Sequence, residues 1–203
     1  MYELIKKFGR DLFLIGINAS HSGNISVRAG DKIYITRTGC MLGDIQPGDV
    51  VCVDLNDNAA GIASREIIVH RSIYLNTAAK AIIHSHPPYT IVLSILEDII
   101  IPIDSEGNFF LDSVPIFETQ QTIGSEEVAQ KIPELLKKHG KIAVLKYHGS
   151  FAIGENLEEA FLWTTTLEKS AQIAYLLKTA NPALYHKTIV KYKNKEAKKK
   201  GAK

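Results

Sequence analysis

Two short phrases carry three histidines that can share one metal ion: His84 and His86 in Ala81-Ile-Ile-His-Ser-His-Pro-Pro, and His148 in Val144-Leu-Lys-Tyr-His-Gly. Each follows a run rich in Ile and Val that reads as a buried strand. Residues two apart on a strand project to the same face, so His84 and His86 stand side by side, and Pro87-Pro88 ends the strand at the loop-bearing rim. Neutral imidazoles bind divalent metals such as zinc, and three protein ligands with one open position make a catalytic site. His148 supplies the third ligand from a separate strand. Taken singly, each is more readily a hydrogen-bonded core histidine; the pair on one strand face moves the reading toward metal.

The chain that positions these residues is long enough for one domain. With 203 residues and 45% hydrophobic content it fills one core and is too short for two. Lys and Arg outnumber Asp and Glu by 24 to 22, and many of the lysines lie between Lys187 and Lys203, so the folded body is mildly acidic. That argues against a nucleic-acid surface spread over the domain. Cys40 and Cys52 form neither a disulfide framework nor a Cys-x-x-Cys motif, which points to a reducing compartment. The N-terminus carries Lys6, Lys7, Arg10 and Asp11 where a signal peptide would be apolar, and no stretch reaches the length of a membrane span. The expectation is a soluble cytoplasmic protein that binds a small molecule, with no nucleic-acid or membrane partner.

Helical spacing of Leu4, Ile5, Phe8, Leu12 and Ile15 predicts an opening helix over 2–17 that stops near Asn18. Ser22-Gly23-Asn24 turns into a strand at Ile25, which pairs as a hairpin with Lys32–Thr36 through Gly30-Asp31, and a third strand follows Pro47-Gly48. Ser64 can cap a helix from Arg65 to about Asn76, with Glu66 in its first turn. Beyond the histidine pair come a helix from about 88 to 96, short strands at 99–103 and 109–116, a helix over 125–138, the strand ending at His148, its partner at 151–154, and a long helix over 156–179. Short turns between neighbouring strands make the sheet mixed and largely antiparallel, so the fold class is α/β, a three-layer α/β/α single domain. Residues 1–180 form that domain; 181–203, too rich in Lys to bury, reads as a partly disordered tail.

Ser22-Gly23-Asn24, Thr36-Arg-Thr38-Gly39, Ser64-Arg65-Glu66 and the histidines, in this order, resemble the class II aldolase and adducin-head family. Its zinc sugar-phosphate enzymes include L-fuculose-1-phosphate aldolase, and the likeness runs over about residues 1–180. The resemblance implies one Zn2+ per subunit on His84, His86 and His148, and Glu66 as the acid/base carboxylate. It also implies a substrate phosphate on Ser22, Gly23, Asn24, Thr38, Gly39 and Ser64. The implied activity is reversible cleavage of a ketose 1-phosphate, L-fuculose 1-phosphate or a deoxy or methylthio pentulose 1-phosphate, to dihydroxyacetone phosphate and an aldehyde. The chemistry agrees with the residue types. Such cleavage passes through an enediolate whose charge a metal stabilises, while a carboxylate moves protons at the same carbons. Side-chain donors and glycines that admit close backbone N–H groups suit an anion, although Ser-Gly-Asn and Thr-Gly are also ordinary turn sequences.

Three departures bear on substrate. Arg65 stands where the fuculose-enzyme pattern has a second serine, and it either strengthens phosphate binding or accepts a carboxylate. His21 replaces a threonine. The segment Ile101–Phe110 lacks the tyrosine that the family brings in from a neighbouring subunit, leaving Glu106 or Asp104 to take over its proton transfer. The resemblance further implies a homotetramer with sites at subunit interfaces and makes Tyr185 and Tyr192 late candidates for the site. Within the same family, a ribulose-phosphate 4-epimerase and a methylthioribulose-1-phosphate dehydratase are the alternatives. A non-enzymatic adducin-like module is disfavoured by the complete histidine set.

Overall fold

An eight-stranded sheet carries the site. The computed structural model describes residues 1–57 and 59–201, the side chains of 195–201 excepted. The strands are β1 (Asn24–Ala29), β2 (Lys32–Thr36), β3 (Val50–Asp54), β4 (Ala81–Ser85), β5 (Ile99–Ile100), β6 (Val114–Phe117), β7 (Ile142–Leu145) and β8 (Gly149–Gly154), in spatial order β3-β2-β1-β4-β8-β7-β6-β5. Among the described residues only β6 and β7 run parallel; the other neighbouring pairs are antiparallel. Short links enforce this: Gly30 at φ 60° turns β1 into β2, and residues 146–148 turn β7 into β8.

Helices cover both faces: α1 (Tyr2–Leu14), α2 (Ile67–Asn76), α3 (Pro88–Leu96), α4 (Ser105–Phe110), α5 (Glu126–His139), α6 (Leu157–Ala180) and α7 (Pro182–Gly201). The strand period of two divides the core into two layers. Ile25, Val27, Ala81, Ile83 and Val144 pack with Phe8 and Leu12 of α1 and Trp163 and Leu167 of α6. Ile33, Ile35, Ile82, Ala143 and Phe151 pack with Val69 and Ile73 of α2 and Ile132 of α5. The result is a three-layer α/β/α domain with a mixed, largely antiparallel sheet.

Several elements differ from the sequence expectation. The opening helix ends at Leu14, and α2 begins at Ile67 because 64–66 form a turn in which Ser64 Oγ accepts from the Glu66 N–H at 3.3 Å. Residues 105–110, placed between and within short strands, are helical because the Asp104 carboxylate caps them, accepting from the Gly107 N–H at 2.7 Å. Pro182–Gly201, in the segment read as a partly disordered tail, is helix α7; Lys195 to Lys203 lie outside the described side chains. Tyr185 docks α7: it is 3% exposed and donates its hydroxyl proton to Glu97 Oε1 at 2.9 Å. No helix among the described residues is long and apolar enough to cross a membrane.

Candidate metal centre and substrate cavity

His84 lies in the middle of the sheet, paired with Asn24 of β1 on one side and Phe151 of β8 on the other. Its ring stacks on Phe151 at 4.2 Å and 18°. Its Nδ1 donates to the Ser150 carbonyl at 3.0 Å, which leaves the Nε2 lone pair free. His86 follows β4 by one residue, and its backbone N–H donates to Asn18 Oδ1 at 2.8 Å. His148 sits in the turn after β7, three residues past the strand end at Leu145, and the preceding Tyr147 takes φ 65°. The next residue must be glycine: a Cβ on Gly149 would lie 2.1 Å from the Ser85 carbonyl oxygen.

The three rings converge, with centroids 4.7 to 4.9 Å apart and ligand nitrogens within 4.8 Å of one another. Two nitrogens bound at about 2.0–2.1 Å to one tetrahedral ion lie about 3.4 Å apart; His84 Nε2 and His86 Nε2 are 3.1 Å apart. Burial, then the neighbouring histidines, holds His84 well below the usual imidazole range; the same causes bring His86 down to about 4, and burial lowers His148. All three are therefore neutral near pH 7, the form that ligates metal. The cluster fits a divalent ion.

Glu66 ends the turn before α2 and is 3% exposed. Gly124 fixes it: its N–H donates to Glu66 Oε1 at 3.0 Å, its φ is 56°, and a Cβ there would lie 2.7 Å from the Arg65 carbonyl oxygen. Glu66 Oε2 is buried without a partner among the described residues. Burial, opposed by the Gly124 bond, raises the carboxyl pKa to about 7.

The three histidines, Glu66 and all seven residues from Ser22 to Arg65 expected at the phosphate line one cavity of about 250 Å³. Their donors are not equally free. Ser64 Oγ accepts a hydrogen bond and keeps its own proton to give, whereas Thr38 Oγ1 already donates to the Ala63 carbonyl at 2.8 Å and Ser22 Oγ to the Ala19 carbonyl at 3.3 Å. Gly23 takes φ 76°, and a Cβ there would lie 2.6 Å from the His84 carbonyl oxygen. Arg65 is exposed and forms no hydrogen bond among the described residues. His21 is exposed at the same cavity. Glu106 is exposed in the first turn of α4 and does not line the cavity of its own chain. Asp104 is committed to capping α4, and Tyr185 to Glu97. Asn18, Cys40, Ile123 and Gly124 join the site without having been expected there; the signal for Gly124 is its place immediately before the Ser125 helix cap.

This is the build of a metal-dependent α/β/α enzyme. The family model of the class II aldolase and adducin N-terminal domain matches residues 3–175, and the chain belongs to that family as a metal-dependent enzyme of the class II aldolase type. It is 33% identical over 156 residues to the L-fuculose phosphate aldolase of Methanocaldococcus jannaschii, covering 76% of this chain and 84% of that protein. It is 29% identical over 189 residues to the 3-oxo-tetronate 4-phosphate decarboxylase of Haemophilus influenzae, covering 86% and 87%. The crystal structure of L-fuculose-1-phosphate aldolase from Thermus thermophilus superposes with a TM-score of 0.85 at 34% identity, over 90% of this chain and 96% of that one.

Proposed function

We propose that the protein is a zinc-dependent aldolase that cleaves a ketose 1-phosphate, L-fuculose 1-phosphate or a deoxy or methylthio pentulose 1-phosphate, to dihydroxyacetone phosphate and an aldehyde. The observation that carries this is the placement of Glu66 and three neutral histidines in the wall of one cavity. His84, His86 and His148 hold the ion, which when bound supplies Lewis acidity to the substrate carbonyl. Ser64, Asn24, Gly23 and Gly39 receive the phosphate, with Ser22, Thr38 and Arg65 around it. In the cleavage direction the C3–C4 bond breaks, its electron pair passing toward C3 and the carbonyl, and the C4 hydroxyl loses a proton as the aldehyde forms. Glu66 returns a proton to C3 to complete dihydroxyacetone phosphate. A carboxyl group poised near neutrality can both give and take that proton.

The assembly we propose is a cytoplasmic homotetramer in which Glu106 of one subunit serves the cavity of the next, as proton acceptor for the C4 hydroxyl. Its support is an exposed Glu106 beside Phe109, 81% exposed, on the short helix α4. Mixing Glu106→Ala and His86→Ala subunits should restore activity if the site is shared. The test of the whole reading is metal-dependent release of dihydroxyacetone phosphate from a panel of ketose 1-phosphates.

Arg65 favours a second reading. An unpaired guanidinium at the mouth of a phosphate cavity suits a substrate that carries a carboxylate as well as a phosphate. The Haemophilus influenzae relative is a decarboxylase of such a compound. Release of CO2 from a 3-oxo acid phosphate, without dihydroxyacetone phosphate from the panel, would select this reading.

A further inference from the structure

One helical turn after Glu66, His70 is wholly buried and takes no part in the steps above. Its Nδ1 lies 2.7 Å from Ser26 Oγ, which in turn lies 2.7 Å from the Tyr74 hydroxyl; Ser26 and Tyr74 are 0% and 1% exposed. Proton counting decides the direction of this chain. If Tyr74 donates to Ser26 and Ser26 donates to Nδ1, both hydroxyl protons are used and the imidazole proton sits on Nε2. In the reverse direction the Tyr74 proton has no acceptor, because Ser26 is the only hydrogen-bond partner of that hydroxyl among the described residues. Each direction leaves one buried donor over, the Tyr74 hydroxyl in the reverse and Nε2–H in the first. Only the first leaves it one helical turn from a buried acceptor that also lacks a partner among the described residues, Glu66 Oε2, so the first direction holds. Burial also takes the His70 pKa down to about 3, which keeps the ring neutral with a single proton to place.

His70 Nε2 is then a buried donor, and among the described residues it has no partner. Glu66 Oε2 is a buried acceptor, and it has none either, its twin Oε1 being held by Gly124. The two residues are four apart, and the His70 N–H donates to the Glu66 carbonyl at 3.0 Å, the spacing that stacks side chains on one helix face. We propose that His70 is a positioning residue for Glu66: the Tyr74, Ser26 and His70 chain fixes the Nε2–H tautomer and presents it to Glu66 Oε2, directly or across one water. The carboxylate thereby keeps the orientation in which it exchanges protons with substrate. The proposal rests on the reading of Glu66 as the proton-transfer group.

Two measurements test it, and the first needs no turnover. In the zinc-loaded, 15N-histidine-labelled protein, NMR should show His70 as the Nε2–H tautomer, with a resonance that moves in Glu66→Gln and stays in place in Asn24→Ala. The Nδ1–H tautomer overturns the proposal. So does a resonance that ignores Glu66 and follows Asn24, whose Oδ1 is another buried acceptor without a partner among the described residues. The second is kinetic. His70→Asn keeps a partner for Ser26 and loses the distal donor, whereas His70→Gln places an amide N–H near the position of Nε2. With KM nearly constant, kcat should fall about tenfold or more in His70→Asn and recover in His70→Gln. Equal losses in the two variants, or losses that follow their thermal stabilities, would leave His70 a structural residue. If no substrate turns over, the functional reading fails while the tautomer measurement still decides this one.

Discussion

Replacing Glu66 by Gln isolates the energetic cost of keeping a carboxylate buried, and in the metal-free protein the sign is fixed. The carboxyl pKa rises from 4.5 to about 7, with burial as the leading cause. A folded-state value above the unfolded one means that the native chain binds the proton more tightly between those limits. Stability is therefore full below pH 4.5, is lost as pH rises through that window, and reaches its floor above pH 7. At 1.36 kcal/mol per unit the full loss is about 3 kcal/mol, an upper figure because water entering the cavity relaxes it. Gln keeps an acceptor for the Gly124 N–H and removes the titration. Its stability relative to wild type should rise by about 1–3 kcal/mol between about pH 4.5 and 7.5 and be flat outside that range. Urea unfolding of chelator-treated protein at stepped pH reads this directly. A bound cation favours the charged carboxylate, so the slope should shrink on zinc loading. A stability difference independent of pH in the metal-free protein would refute the assignment of a raised pKa to Glu66.

Other substitutions probe the frame. His86→Ala should reduce bound zinc and abolish turnover, measured by metal analysis and the dihydroxyacetone phosphate assay, while the sheet stays folded because His86 lies outside β4. Gly149→Ala drives a Cβ to within 2.1 Å of the Ser85 carbonyl oxygen and 3.2 Å of His86 Cδ2. It should destabilise the fold by about 1–3 kcal/mol or more and weaken zinc binding with it, read by thermal unfolding with and without metal. Glu168→Ala removes the carboxylate that accepts from the Tyr89 and Thr90 N–H groups and the Thr90 hydroxyl, each at 2.9 Å. With those buried donors unpaired, about 2–4 kcal/mol of stability should go, and amide exchange should show α3 opening first.

The metal ligands were legible because they obey local rules. His84 lies on β4 and His86 follows its end by one residue, just ahead of the proline pair, so the two-residue spacing read from the sequence was enough to place them together. The strand order could not be read that way. Setting β4 between β1 and β8 is a tertiary choice that joins residues 24, 84 and 151, and only the register reveals that His84 stacks on Phe151. The segment 105–110 misled because its Phe109-Phe110 pair resembles strand sequence, while the deciding feature is a single capping bond from Asp104. Glu66 was recognised by its motif, but its environment was not. The Gly124 that holds it comes from a loop 58 residues away in the chain.

The same burial accounts for the reactive features of the site. It depresses the histidines and raises Glu66, so that near pH 7 the ligands are neutral and the proton carrier is poised between its two forms before a metal or an anion arrives. A cavity wall made this way is left with unmet hydrogen-bond demand. Of the seven buried side-chain atoms without a partner among the described residues, five belong to Asn18, Asn24, Glu66, His70 and His148, which either line the cavity or support residues that do. The other two, Asp104 Oδ1 and Ser170 Oγ, both lie around Gly107, well apart in the sequence from the motif residues. Unpaired buried polar atoms cost stability, and a fold tolerates a cluster of them where they pair with one another, as proposed for Glu66 and His70, or where a ligand supplies the missing partners. Substrate and metal should therefore stabilise this chain more than their direct contacts alone predict, because binding also pairs groups that folding leaves unpaired.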